Sequence, residues 1–149
     1  MKIEYHNLYT HFVFITLNRR PIILEQFRNR IEKYITGIVN KNGCKLYSIY
    51  ANPEHVHFLV SRSPKLDEES LATVIANSSA KFINDNKLSS YFFQWQQSCA
   101  AFSVSKQNVR TVCEYIEKQK EHHKKEGYDE EYKRYLEFYQ QPTRKKGDG

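Results

Sequence analysis

Two short patterns hold the side chains of this chain best suited to chemistry: His55-Val56-His57 within an apolar run, and Tyr115 four residues ahead of Gln119. In a strand alternate residues share a face, so the first pattern presents two imidazoles to one side. Neutral imidazole nitrogens bind divalent ions, and two at neighbouring same-face positions can hold one ion. In a helix, residues four apart lie one turn apart, so the second pattern sets a phenol and an amide on one flank. The phenol offers a nucleophilic oxygen and the amide a carbonyl oxygen for a metal. Together the four side chains supply the parts for metal-assisted attack of a tyrosine on a phosphodiester. Each pattern also has an ordinary reading: a surface strand with two solvated histidines, and an amphipathic helix with a half-buried Tyr and a solvated Gln. Neither pattern alone decides between them.

The elements that must position these residues follow from periodicity. Residues 9–17 (YTHFVFITL) are rich in β-branched and aromatic side chains and read as a first strand. Pro21 suits a first helical position, and Ile23, Phe27, Ile31, Tyr34, Ile35 and Ile38 recur at helical spacing to Lys41, where Asn42-Gly43 ends the run. Residues 44–51 and 55–61 read as two strands joined by Asn52-Pro53-Glu54, a connection short enough for a hairpin. A second helix is expected over 67–84, with Asp67, Glu68 and Glu69 in the first turn, where the helix dipole favours negative charge. Residues 92–95 and 99–104 read as short extended segments. A third helix is expected over 108–126 with Gly127 as C-cap, its Val109, Val112 and Ile116 facing the core. A fourth is expected over 129–139. The order predicts an α+β fold, a ferredoxin-like βαββαβ with additional C-terminal helices, in which helices cover one sheet face and leave the other for a ligand. One domain over residues 1–140 and a disordered tail over 141–149 complete the expectation.

Composition narrows the partners. At 149 residues the chain is one domain's worth. Lys and Arg outnumber Asp and Glu by 23 to 17, a net charge of +6 with a pI near 9.2, which favours a polyanionic partner. No apolar run approaches the ~20 residues needed to span a membrane, and the opening residues are too polar for a secretory signal. Eleven Tyr, nine Phe and one Trp provide core and, where exposed among basic residues, surfaces that stack on unpaired bases. Cys44, Cys99 and Cys113 are scattered and odd in number, which reads as reduced thiols, small buried hydrophobes, and a cytoplasmic protein.

Several segments in this order resemble one family: HFVFITLNRR, HVHFLV, a polar-centred helix ending NSSAKFI, then Trp95, AFSVS, and finally YIEKQKEHH. The chain is similar over nearly its whole length to the single-tyrosine transposases of the HUH nuclease superfamily, which serve small palindrome-ended insertion sequences. The resemblance implies that His55 and His57 are the histidine pair of the superfamily's name. It implies further that Tyr115 is the nucleophile and that Gln119 is the third metal ligand. Two departures stand out. Glu54 occupies the place of a common Asp, and Ser98-Cys99-Ala100 replaces a frequent Gly-Tyr pair.

The same resemblance implies a mechanism. A divalent cation, Mg2+ or Mn2+, would polarise the scissile phosphate while Tyr115 attacks in line, giving a 5′-phosphotyrosine and a free 3′-hydroxyl. An ordinary phenol has a pKa near ~10, so the proton must leave as the attack proceeds. A second 3′-hydroxyl can reverse the step, which transfers a strand without ATP. The expected substrate is single-stranded DNA with a hairpin near the element's end. The expected assembly is a homodimer whose active sites are completed in trans. Arg19, Arg20, Lys81 and Lys118 are candidate DNA-backbone contacts and Trp95 a candidate base-stacking residue, although solvated charges and a core Trp are ordinary alternatives. His122 and His123, one turn on, could also approach the metal or a phosphate, but read better as solvated among Lys118, Lys120, Lys124 and Lys125. A replication-type nickase or a domesticated relative would share the chemistry. A non-catalytic nucleic-acid module on a ferredoxin-like sheet is the rival from another class, and the chain lacks its full aromatic pattern.

Overall fold

Strands β1 (Tyr9–Ile15) and β3 (His55–Ser61) are buried along almost their whole length, as strands covered on both faces must be. They form the middle of a four-stranded antiparallel sheet in the order β2-β3-β1-β4, where β2 (Lys45–Ala51) and β4 (Ala100–Val104) are the edges. Helix α1 (Arg28–Lys41) connects β1 to β2, and α2 (Glu68–Asp85) connects β3 to β4. This is the expected ferredoxin-like arrangement, followed by α3 (Val109–Glu117). The computed structural model describes residues 1–119 and Lys133. Met1–Glu117 form one unit, and Lys118 begins another. The expected continuation of the third helix to 126, its Gly127 cap, the fourth helix, His122, His123 and the tail lie outside the described residues, as does the far end of the expected 1–140 domain.

Strand parity divides the sheet. Phe12 and Phe14 of β1 point to the same face as Val56, Phe58 and Val60 of β3, where α1 and α2 cover them. Phe12 stacks on Phe58 at 5.2 Å, and Phe14 meets the same ring edge-on at 5.0 Å. From the helices come Ile31, Ile35 and Val39 of α1 and Leu71, Ile75 and Ile83 of α2. Tyr34 and Phe82 stack at 3.8 Å across the two helices.

Several boundaries differ from the sequence expectation. The first helix begins at Arg28 rather than at Pro21. Ile22 and Ile23 do enter the core, but from extended chain. Ile23 N–H donates to Pro53 O at 3.0 Å and bridges to Ser89, so tertiary pairing overrides the helical spacing. A single 3-10 turn over Glu25–Phe27 then leads into α1. Residues 92–95 form no strand; Trp95 makes an isolated bridge to Thr16. Gly43, at φ 72°, takes the left-handed position that closes α1. The three cysteines are free, but only Cys44 is a buried hydrophobe; Cys113 is half-buried and Cys99 exposed. Among the described residues no helix is long and apolar enough to cross a membrane.

Asp67 lies just ahead of α2 as its cap, accepting from the Ser70 N–H at 2.6 Å, and this bond holds its carboxyl below the usual range. A lowered folded pKa means that the cap stabilises above the unfolded carboxylate's pKa and that the effect fades as pH falls through the folded value. Asp67→Ala should therefore lower the thermal midpoint at neutral pH. The gap to the unsubstituted protein should close in melts taken at progressively more acidic pH.

Candidate active site

Val13 stands opposite His57 and Ile15 opposite His55 in the β1–β3 ladder. Alternation therefore sends His11, Val13 and Ile15 of β1 and His55, His57 and Leu59 of β3 to the face away from the Phe cluster. That face is not left bare, as the sequence had led us to expect. Helix α3 crosses it over β2 and β3, burying Val112 and Ile116, and Ser48 Oγ–H donates to Cys113 O at 3.5 Å. On this helix Tyr115, half-buried, sets its ring 6.0 Å from that of His57 at a steep 73°.

The histidines are not solvated. His55 is 1 % and His57 3 % exposed, with ring centroids 4.8 Å apart. Burial of this degree requires that each ring nitrogen be accounted for. His55 Nδ1 lies 3.0 Å from Glu54 Oε1, and its Nε2 lies 3.1 Å from Asn52 Nδ2. A carboxylate can only accept and an amide NH2 can only donate, so His55 carries its hydrogen on Nδ1 and its lone pair on Nε2. His57 Nδ1 lies 3.0 Å from Nε2 of a third histidine, His11, which is wholly buried. Burial pushes the His11 imidazole down to about 3, so it stays neutral in ordinary buffers.

His11 and Asn52 did not figure in the sequence reading of the site, and Glu54 figured only as the residue in place of a common Asp. The signal for His11 was a lone imidazole in a strand that is apolar from Phe12 onward, at the same parity as the residue facing His57. The signal for the other two was their position at the hairpin immediately before His55.

The remaining candidates distribute unevenly. Arg19 and Arg20 leave the end of β1 in a turn anchored beside His55: Thr16 N–H donates to Glu54 O at 2.9 Å, and Thr16 Oγ lies 2.7 Å from Arg20 O. Asn18 and Arg19 both adopt left-handed backbone, at φ 58° and 55°, a conformation that costs free energy in non-glycine residues. The Arg20 guanidinium sits 5.9 Å from the centre of the Tyr91 ring. Lys81 is on α2, over the opposite sheet face, paired to Asp85 at 2.7 Å. Trp95 also belongs to that side. It packs edge-on against Phe14 and Phe93 at 5.4 and 4.7 Å, and its Nε1–H donates to the buried Ser79 Oγ. Neither Lys81 nor Trp95 converges with the histidines. Lys118, exposed, and Gln119, buried, belong to the unit that begins at Lys118. Among the described residues no group of three or more His, Cys, Asp and Glu side chains is disposed to hold a metal.

The sheet order defines a ferredoxin-like α+β domain in which a tyrosine-bearing helix lies over a buried histidine pair. Residues 4–119 match the family described as "Transposase IS200 like", and the chain belongs to that family of tyrosine transposases. Two solved structures share the fold. One is a protein of Deinococcus radiodurans R1 assigned as a transposase, 19% identical with a TM-score of 0.62, over 80% of this chain and 96% of that one. The other is a REP-associated tyrosine transposase bound to a REP hairpin, 17% identical with a TM-score of 0.60, over 83% of this chain and 72% of that one. No curated protein matches the chain.

Proposed function

We propose that this transposase cleaves and rejoins single-stranded DNA beside a hairpin, storing the broken bond as a 5′-phosphotyrosine on Tyr115. The observation that carries the reading is the seating of the Tyr115 ring against His57 on one sheet face, with both histidines buried and hydrogen-bonded. Two imidazoles and an amide carbonyl suit a divalent ion, which would take over the His55 Nε2 lone pair that now accepts from the Asn52 amide. A metal-bound histidine ordinarily passes its other ring N–H to a carboxylate or similar acceptor, and Glu54 stands in that relation to His55. Held by His55, His57 and Gln119, Mg2+ or Mn2+ would draw charge from a non-bridging phosphate oxygen, and two imidazoles favour Mn2+.

Tyr115 forms the new P–O bond and gives up its phenolic proton, while the departing 3′-oxygen takes up a proton and leaves as a hydroxyl. Arg19 and Arg20, next to the His55 end of the sheet, are the best-placed cations for the DNA backbone. Lys118 belongs to the same proposal, whereas Lys81 and Trp95 would touch only DNA that wraps to the α2 side.

A homodimer with sites completed in trans is the assembly that the family resemblance implies. The specific observation here favours a second reading, assembly in cis, because Tyr115 approaches His57 of its own chain.

The test uses end-labelled single-stranded hairpin oligonucleotides from the gene's flanks, with Mn2+ or with EDTA. Label 3′ of the cut should migrate with the protein on a denaturing gel, and label 5′ of it should appear as a shorter strand with a free 3′-hydroxyl. Hairpin binding without any adduct on either strand would point instead to a non-catalytic binding module.

A further inference from the structure

His11 is the buried imidazole to which the reaction gives no part. It sits on β1 diagonally across from His57, since His11 faces Leu59 and Val13 faces His57 in the register. Long side chains on such diagonals reach one another. The ring centroids are 5.2 Å apart, with planes inclined at 41°, and Nε2 of His11 lies 3.0 Å from Nδ1 of His57. Phe102 of the neighbouring edge strand lies against the other side, at 6.1 Å. Burying a polar ring is costly where a hydrocarbon would fill the space, and the four positions that follow His11 in β1 are Phe, Val, Phe and Ile.

Two ring nitrogens at 3.0 Å share one hydrogen, so one ring donates and the other accepts. The direction matters because it decides which nitrogen of His57 keeps a lone pair. We propose that His11 is a positioning residue for His57: its Nε2 accepts the Nδ1 hydrogen of His57, leaving the His57 lone pair on Nε2 for a divalent cation. The proposal rests on the metal reading above. It makes the two histidines alike in tautomer and unlike in acceptor, since a carboxylate orients His55 and an imidazole orients His57. A second carboxylate in the place of His11 would set another negative charge beside the approaching phosphate. A neutral ring fixes the tautomer without that repulsion.

The test reads the tautomer directly. In metal-free protein held in EDTA, 15N imidazole spectra should show His57 with its hydrogen on Nδ1. His11→Phe should yield a mixed or reversed tautomer and weaken Mn2+ binding, measured by calorimetry, about 10- to 100-fold. His11→Gln, whose amide oxygen can accept the same hydrogen, should recover most of the affinity. A wild-type His57 protonated on Nε2 would overturn the proposal, and so would His11→Phe binding Mn2+ as tightly as wild type. If His11→Phe does not fold, the wild-type spectrum and His11→Gln still decide. Absence of Mn2+ binding in the wild type would sink the metal reading instead, which separates the two failures.

Discussion

Tyr115→Phe should remove the covalent protein–DNA adduct altogether, a fall of roughly a thousandfold or more to the floor of the gel assay. The substitution deletes one oxygen and keeps the ring that lies 6.0 Å from His57, so helix α3 should stay seated and the protein should melt as before. Hairpin affinity and Mn2+ affinity should also persist, which separates loss of the nucleophile from loss of the site. An adduct surviving in Tyr115→Phe would move the nucleophile elsewhere. The same variant resolves the assembly. Mixed with His57→Ala, it restores activity only if one subunit's tyrosine serves another's histidines. With assembly in cis the mixture should remain as inactive as its parts.

Phe58→Ala should cost about 3–5 kcal/mol of unfolding free energy, a large share of the ~5–15 kcal/mol typical of a domain. Phe58 is fully buried, and both Phe12 and Phe14 rest on its ring, so removal leaves a cavity bounded by two rigid aromatics and two helices. Guanidinium titration followed by far-UV circular dichroism should show the midpoint collapsing towards water. A loss below about 1 kcal/mol would mean that the aromatic cluster can close over the gap. His57 is the neighbour of Phe58 on the other face, so a partly folded Phe58→Ala protein should lose Mn2+ affinity in step with its folded fraction.

The sheet was legible because its signals are local. The bounds of HVHFLVS as a strand were set by composition and by the hairpin before it, and α2 by its acidic first turn. Alternation also correctly put His55 and His57 on one face. What the pattern missed is tertiary. Nothing in residues 21–23 announces that Ile23 will pair with Pro53 and Ser89 instead of starting a helix. Single-strand periodicity does not show that α3 will lie over the histidine face, so the pair was open to being read as solvated. His11 was invisible for a related reason: its partner is 46 positions away, and only the β1–β3 register brings the rings together. For Trp95 the sequence left both base stacking and core packing open, and only the fold shows the indole against Phe14 and Phe93 with its N–H on Ser79.

The central hairpin partner β3 has a consequence for how this protein can change. Its even-numbered positions Val56, Phe58 and Val60 are foundation, and the odd-numbered His55 and His57 face the tyrosine-bearing helix. Parity ties the two together: losing or gaining one residue inside the strand would turn imidazoles into the hydrocarbon layer and phenyl rings towards the tyrosine helix. A single-residue change of length in β3 would therefore need a compensating bulge, such as the register shift between Leu46 and Ser48 of β2. Changes of length are better placed in the segments that border the strand, such as the turn at Asn18 and Arg19, where they do not invert the sheet.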